Sequence, residues 1–222
     1  MVSPTSDGYT EVRVYIEGGG TYRGDRRPLR EAFTKLLGGV VGDRPKPRMI
    51  ACGGRGNAFA EFQVALRSNK DALCLLLVDS EGPVTPGTDP WTHVKERRGD
   101  LWERPAAVEE NQLHFMVQMM EAWIVADVEA LSRYYGKGFD AKALPYERLE
   151  DVSKDDLEKK LTKATKTTSK KGYEKSDGMV LIGCVAPSRV ENACAYARRF
   201  FDRLREACAA LPRPRSARRP GA

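Results

Sequence analysis

The sequence predicts an α/β protein: a parallel sheet of about four strands flanked by helices, continued by a helical C-terminal part. Three observations predict it. Leu73 to Val78 is a run of six apolar residues closed at once by Asp79-Ser80-Glu81-Gly82-Pro83. That run is too short for a free-standing buried helix and reads as a strand covered on both faces, the signature of a parallel sheet between helices. Strand and helix patterns alternate ahead of it, as crossover connections require. Beyond residue 131 strand signals fade and polar, helical patterns take over.

In chain order, residues 1–10 read as disordered. Glu11 to Ile16 alternates, with Val12, Val14 and Ile16 on one face and Arg13 and Tyr15 on the other, a first strand. It runs into Glu17-Gly18-Gly19-Gly20-Thr21. Pro28 opens an amphipathic helix through Leu37, with Leu29, Phe33, Leu36 and Leu37 inward. Met49 to Cys52 is a short second strand closed by Gly53-Gly54, and Asn57 to Leu66 a second helix with Phe59, Phe62 and Leu66 on one side. The long apolar strand follows, then a loop-rich stretch to about Asn111 that includes His93. Gln112 to Gln118 alternates as a fourth strand leading into a helix, Met119 to Leu131, although a single helix from 113 onward fits as well. This α/β core spans 11–131. A lysine-rich helical part spans 132–211 and packs on it. Its strongest element is Ser188 to Leu211, where Ser188 and Glu191 suggest a capping box, and Val190, Cys194, Ala197, Phe201, Leu204 and Cys208 form one stripe. Residues 212–222, with four arginines and three prolines, read as a disordered basic tail.

At 222 residues the chain accommodates one large domain, or a core of about 130 residues with an appendage. No apolar run approaches the ~20 residues of a membrane span, and the opening Met-Val-Ser-Pro-Thr-Ser-Asp is no signal peptide. Five cysteines, an odd number without Cys-x-x-Cys spacing, argue against a zinc site or a disulfide framework. A cytoplasmic location is expected. The net charge of +6 weakly favours polyanionic partners.

Acids fall at the carboxyl ends of three predicted strands: Glu17 after the first, Asp79 and Glu81 after the third, and Glu121 just past the fourth. An isolated Asp-x-Glu is as well explained by a solvated turn. In a parallel sheet, however, these ends share one edge, where ligands gather. Carboxylates brought together there repel one another by ~1 kcal/mol or more per close pair, and a hard divalent cation relieves that. An all-oxygen donor set points to Mg²⁺ or Mn²⁺. Gly18, Gly19 and Gly20 can cradle phosphate through backbone N–H groups, or simply turn the chain, since the lysine of a P-loop is missing. Arg55, Lys163 and Lys166 are candidate contacts to phosphate or nucleic acid, against the plainer reading of solvated charge. Asp127 reads as a helix N-cap or salt-bridge partner, Trp123 as core, and His93 and His114 lack a catalytic partner.

The arrangement resembles the TOPRIM fold of topoisomerases, bacterial primases and overcoming-lysogenization-defect nucleases. That family places a Glu at the end of its first strand and an Asp-x-Asp at the end of its third. Glu17 and Asp79 match, whereas Glu81 is one methylene longer than the family's second Asp. The phrases Tyr-Ile-Glu17-Gly-Gly-Gly, Leu-Leu-Val-Asp79-Ser-Glu81 and Met-Met-Glu121-Ala-Trp123-Ile-Val-Ala-Asp127 resemble more specifically a bacterial TOPRIM-like family of unknown function. It is similar to RloB-type proteins, and its members often accompany ATPases in mobile or phage-defence gene clusters. The resemblance covers most of residues 11–205. It implies a Mg²⁺-dependent phosphoryl-transfer enzyme, foremost a nuclease, with Asp79 and Glu81 on the ion and Glu17 sharing it or acting as general base. It equally allows a non-catalytic or partner-dependent subunit of an ATPase system. DNA or RNA, sequence preference and oligomeric state are left open.

Overall fold

The computed structural model describes residues 8–19 and 26–212. Most of the N-terminal stretch and nearly all of the basic tail expected to be disordered, together with Gly20, lie outside the described residues. Of the expected disordered start, Tyr9 packs against the core and the Thr10 amide donates to the Asp71 carbonyl at 2.8 Å.

Four strands form one all-parallel sheet in the order β2-β1-β3-β4: β1 (Glu11–Ile16), β2 (Arg48–Ala51), β3 (Ala72–Asp79) and β4 (Leu113–Met116). Alternation sorts the side chains. Val12, Val14 and Ile16 with Leu73, Leu75 and Leu77 face one layer, and Tyr15 with Cys74, Leu76 and Val78 face the other. The first layer holds α1 (Arg26–Val41), and the second holds α2 (Arg55–Ser68) and α3 (Pro90–Glu96). Burial on both faces is why β3 reads as an unbroken apolar run. From β1 the chain turns through α1 to β2 on one side, and from β2 it crosses through α2 to β3 on the other. The sheet's switch in winding therefore lies between the carboxyl ends of β1 and β3, the crevice where ligands of such sheets bind.

The chain continues through α4 (Glu121–Val125), α5 (Val128–Tyr135), α6 (Lys154–Thr165), α7 (Lys175–Leu181), α8 (Pro187–Ala193) and α9 (Ala195–Ala210). The helices from α4 onward share one apolar cluster with α1 and the first face of the sheet, centred on Trp123 with Phe33, Phe200 and Phe201. Four cysteines are buried and Cys184 is exposed, all as free thiols. Burial pushes Cys52 up to about 12 and Cys74 and Cys208 up to about 11, which leaves them inert.

Three expectations are corrected. The helix expected over Met119–Leu131 is two, because Asp127 ends one and caps the next, accepting from Ala130 N at 3.0 Å and from Ala186 N at 2.8 Å. The helix expected from Ser188 breaks at Cys194, and no Ser188 cap forms: α8 begins on Pro187, and Glu150 accepts from the first amides of α9, Ala195 N at 3.0 Å and Tyr196 N at 2.9 Å. The inward stripe named for that segment is nonetheless buried throughout. The stretch expected to be loop holds α3, capped by Asp89 onto Trp91 N at 3.0 Å, so His93 lies on a helix.

Candidate functional site

Glu17 follows β1 and Asp79 ends β3, so both project at the switch in winding. Oε2 of Glu17 accepts from the Asp79 amide at 3.2 Å and from Nη1 of Arg55 at 3.1 Å. Asp79 Oδ1 accepts from the Met120 amide at 2.9 Å, just ahead of α4. Glu81 Oε2 receives Lys154 Nζ at 2.8 Å, with Arg97 further off at 3.9 Å. Glu121, buried on the first turn of α4, accepts through Oε1 from the Tyr173 hydroxyl at 2.7 Å and Lys175 Nζ at 2.8 Å. All four candidate acids thus surround one end of the sheet. Among the described residues each uses one carboxylate oxygen for these bonds and leaves the other without a protein hydrogen bond.

The electrostatics agree with the geometry. Burial raises the Asp79 carboxyl well above its usual range, and the charges of Glu17, Glu121 and Glu81 add to it against the pull of Lys154. Burial likewise raises Glu17, with Arg55 opposing and Glu81 reinforcing. Two carboxyls raised by desolvation and by neighbouring acids mark this end of the sheet as a candidate site. Among the described residues no three acid, histidine or cysteine side chains stand close enough to cage an ion. A closed cage is not what Mg²⁺ asks for, since it commonly keeps several waters and takes one or two carboxylates.

The turn after β3 is held tightly. Glu81 adopts a left-handed conformation, φ 64°, that a non-glycine residue tolerates at a cost on the order of 1–3 kcal/mol. It is fixed by Glu81 N donating to Gln118 O at 3.1 Å, Ser80 Oγ donating to Gly82 O at 2.6 Å, and the His93 ring lying 3.0 Å from Ser80 O. Strain held in place at a ligand-facing turn is a feature of working sites.

The other expected contacts fall differently. Arg55 opens α2 and spends its guanidinium on protein: Nε and Nη2 grip Asp100 at 2.6 and 2.7 Å, Nη1 reaches Glu17 and the Asp79 carbonyl, and the plane lies 4.9 Å over Trp102. It ties the site together and has no fork left for a phosphate. Gly18 donates its N–H to Gly53 O at 2.7 Å, and a Cβ there would stand 2.9 Å from Leu29. Gly19, at φ 90°, passes so close to Arg26 that a Cβ would meet its Cα at 3.0 Å. These glycines serve a close backbone approach. Lys163 and Lys166 are exposed at the far end of α6, roughly 13–18 Å along the helix from Lys154.

His114 is buried, its ring 2.8 Å from Asn111 O and packed 5.0 Å from Phe200. Burial, aided by Arg199 and Arg203, lowers it to about 3 despite the Asn111 contact. An unfolded histidine protonates near 6.5, so the unfolded state gains a proton first as pH falls. Stability should decline from about pH 6.5 toward about 3 with a slope of up to about 1.4 kcal/mol per pH unit from this residue. Urea unfolding of the wild type and His114→Gln between pH 6.5 and 5 should show the shallower slope in the variant.

Arg97, Asp100, Lys154, Tyr173 and Lys175 carry no signal in the sequence, yet they complete the site. Glu81, Glu121 and Arg55, which they contact, do carry one, as do Glu17 and Asp79. No curated protein and no solved structure gives a match to this chain. A family model covers residues 44–205, which takes in Asp79, Glu81 and Glu121 and begins after Glu17. By that match the chain belongs to the family described as a domain of unknown function, DUF4276.

Proposed function

We propose that the chain is a divalent-metal-dependent phosphoryl-transfer enzyme of TOPRIM-like design, acting as a nuclease on phosphodiesters. The observation that carries this reading is the set of four carboxylates around the ends of β1 and β3, each with one oxygen free of protein hydrogen bonds among the described residues. Glu at the end of the first strand and Asp at the end of the third is also the TOPRIM placement. Asp79 and Glu17, with Glu81 beside them, are the residues that would hold Mg²⁺ or Mn²⁺. When bound, the ion supplies charge neutralisation at the phosphate and a more acidic water. The chain's own part is positional. Arg55 fixes Glu17 against the Asp79 backbone. The raised pKa of Glu17 brings a carboxylate nearer to neutrality, which suits a base taking a proton from water. Lys154 and Arg97, now on Glu81, stand where a phosphate oxygen would compete for them.

Labelled single- and double-stranded DNA and RNA, incubated with Mg²⁺, Mn²⁺ or EDTA, test the reading. Cleavage should need the metal and disappear in Glu17→Gln. Cleavage that survives EDTA, or that Glu17→Gln leaves intact, would reject it.

A second reading is a non-catalytic subunit of an ATPase system. Its support is that Glu17, Glu81 and Glu121 already carry a cation each, Arg55, Lys154 and Lys175. A chain inert on every substrate alone, and retained by a co-expressed ATPase, would favour it.

A further inference from the structure

Outside the acid site, an open groove of about 1060 Å³ runs along the free edge of the sheet. Its floor is β2, the edge strand, and its wall is the start of α1. Arg26, Arg27, Arg30 and Arg48 line it together with Glu61, and Arg27 Nε pairs outside the lining with Glu31 at 2.7 Å. Arg27, Arg30 and Arg48 are exposed. Arg26 is mostly covered: Nη1 reaches Glu61 at 3.2 Å, and its Nε is buried without a hydrogen-bond partner among the described residues.

From these features we infer that the groove binds the phosphate backbone of a duplex nucleic acid and leads it to the acids. This rests on the nuclease reading and adds the path of its substrate. Three arguments carry it. Arginine forks match phosphate oxygens in pairs, and Arg30 and Arg48, with Arg27 exposed on Glu31 and Arg26 on Glu61, make a track of positive charge for a polyanion. Arg26 and Arg30, one helical turn apart, start from Cβ atoms about 5–6 Å apart on a single helix face. The groove also adjoins the site. Arg26 packs on Gly19, two residues from Glu17, and the Gly18–Gly53 bridge joins the ends of β1 and β2 there. Finally, no aromatic side chain lines the groove among the described residues. Single-strand binders stack bases on aromatic platforms, whereas duplex binding needs only backbone contacts. The lysines at the far end of α6 have no such continuity with the acids.

The test is binding of a fluorescent 20-base-pair DNA duplex in EDTA over a series of salt concentrations. The variants are Arg27→Ala/Arg30→Ala/Arg48→Ala and, for contrast, Lys163→Ala/Lys166→Ala. Because all five side chains are exposed, melting temperatures should stay near the wild type. The arginine variant should weaken binding at least about tenfold at low salt and flatten the log–log salt dependence by roughly 0.9 for each phosphate that is no longer neutralised. The lysine variant should leave both unchanged. A wild type that binds no duplex, that prefers the matching single strand or an acidic peptide, or that binds as well without the arginines would overturn the inference. Duplex held through the arginines by a chain that cleaves nothing keeps the groove and removes the nuclease. Metal-dependent cleavage with an unchanged KM in the arginine variant does the reverse.

Discussion

Asp79→Asn is expected to abolish metal-dependent cleavage and, in the same protein, to raise the melting temperature of the metal-free chain. The activity loss should be at least about 100-fold, because even the outer partners of metal ligands cost 10–100-fold. The stability gain follows from the repulsion around Asp79. Asparagine keeps an oxygen for the Met120 amide and removes a charge facing Glu17, Glu121 and Glu81. Substitutions that relieve such sites commonly gain on the order of 0.5–2 kcal/mol, which is about 2–4 °C per kcal/mol at this chain length. The sign can be read from pH. The folded carboxyl titrates above its unfolded value, so its favourable contribution is complete below the unfolded pKa and is lost as pH rises through the folded one. The gap between variant and wild type should therefore open with rising pH and close in acid. Saturating Mg²⁺ or Mn²⁺ should stabilise the wild type, by about 2.7 kcal/mol at a hundredfold excess over Kd, and leave the variant unmoved. A wild type indifferent to both ions, with Asp79→Asn less stable at neutral pH, would make the carboxylate structural and end the metal proposal.

The sheet was legible because each strand carries its burial in its own residues. β1 alternates, β3 is apolar throughout, and both end where the sequence turns acidic. The acids of the site were legible for the same reason, as strand ends need no long-range information. Breaks in the helices were not. Asp127 reads as an N-cap and does cap Ala130, yet the pattern from Met119 to Leu131 looks continuous, and the break is fixed by Ala186, 59 residues on, which donates its amide to Asp127. The start of α9 is capped by Glu150, about 45 residues upstream, so no local cap marks it. In α3 a local signal did exist, Asp89 before Pro90, and the loop-rich composition around it hid a helix of only seven residues. The cations of the site were out of reach in the same way as the breaks: Lys154 is 73 residues from Glu81 and Lys175 is 54 from Glu121. A lysine on a polar helix face looks alike whether it faces solvent or a carboxylate. Arg55 shows the converse, a residue selected for phosphate whose fork is filled by Asp100, a partner 45 residues away.

Arg55→Ala is expected to destabilise the protein by about 3–5 kcal/mol, the usual cost of leaving a buried charge behind. The charge left behind is Asp100, whose side chain is only 1% exposed and which would keep Arg97 alone, at 3.0 Å. Glu17 would lose its counter-charge as well, and the stacking on Trp102 would go. Arg55→Lys should fall between, since an ammonium keeps the charge but cannot grip both oxygens of Asp100 while reaching Glu17. Asp100→Leu in the Arg55→Leu background should recover part of the loss, because the buried Asp100 charge is no longer orphaned, while Glu17 still lacks its counter-charge. Urea midpoints at constant m-value measure each variant, and adding the single Arg55→Leu and Asp100→Leu proteins completes the cycle that gives the coupling. The same variants separate two roles for Arg55. If Arg55→Ala costs less than about 1 kcal/mol while weakening duplex binding, the guanidinium leaves Asp100 to meet phosphate, and the sequence-based assignment is restored. If stability falls and the Arg55→Leu/Asp100→Leu protein still binds duplex as the wild type does, Arg55 holds the two strand ends together and the groove at β2 does the binding.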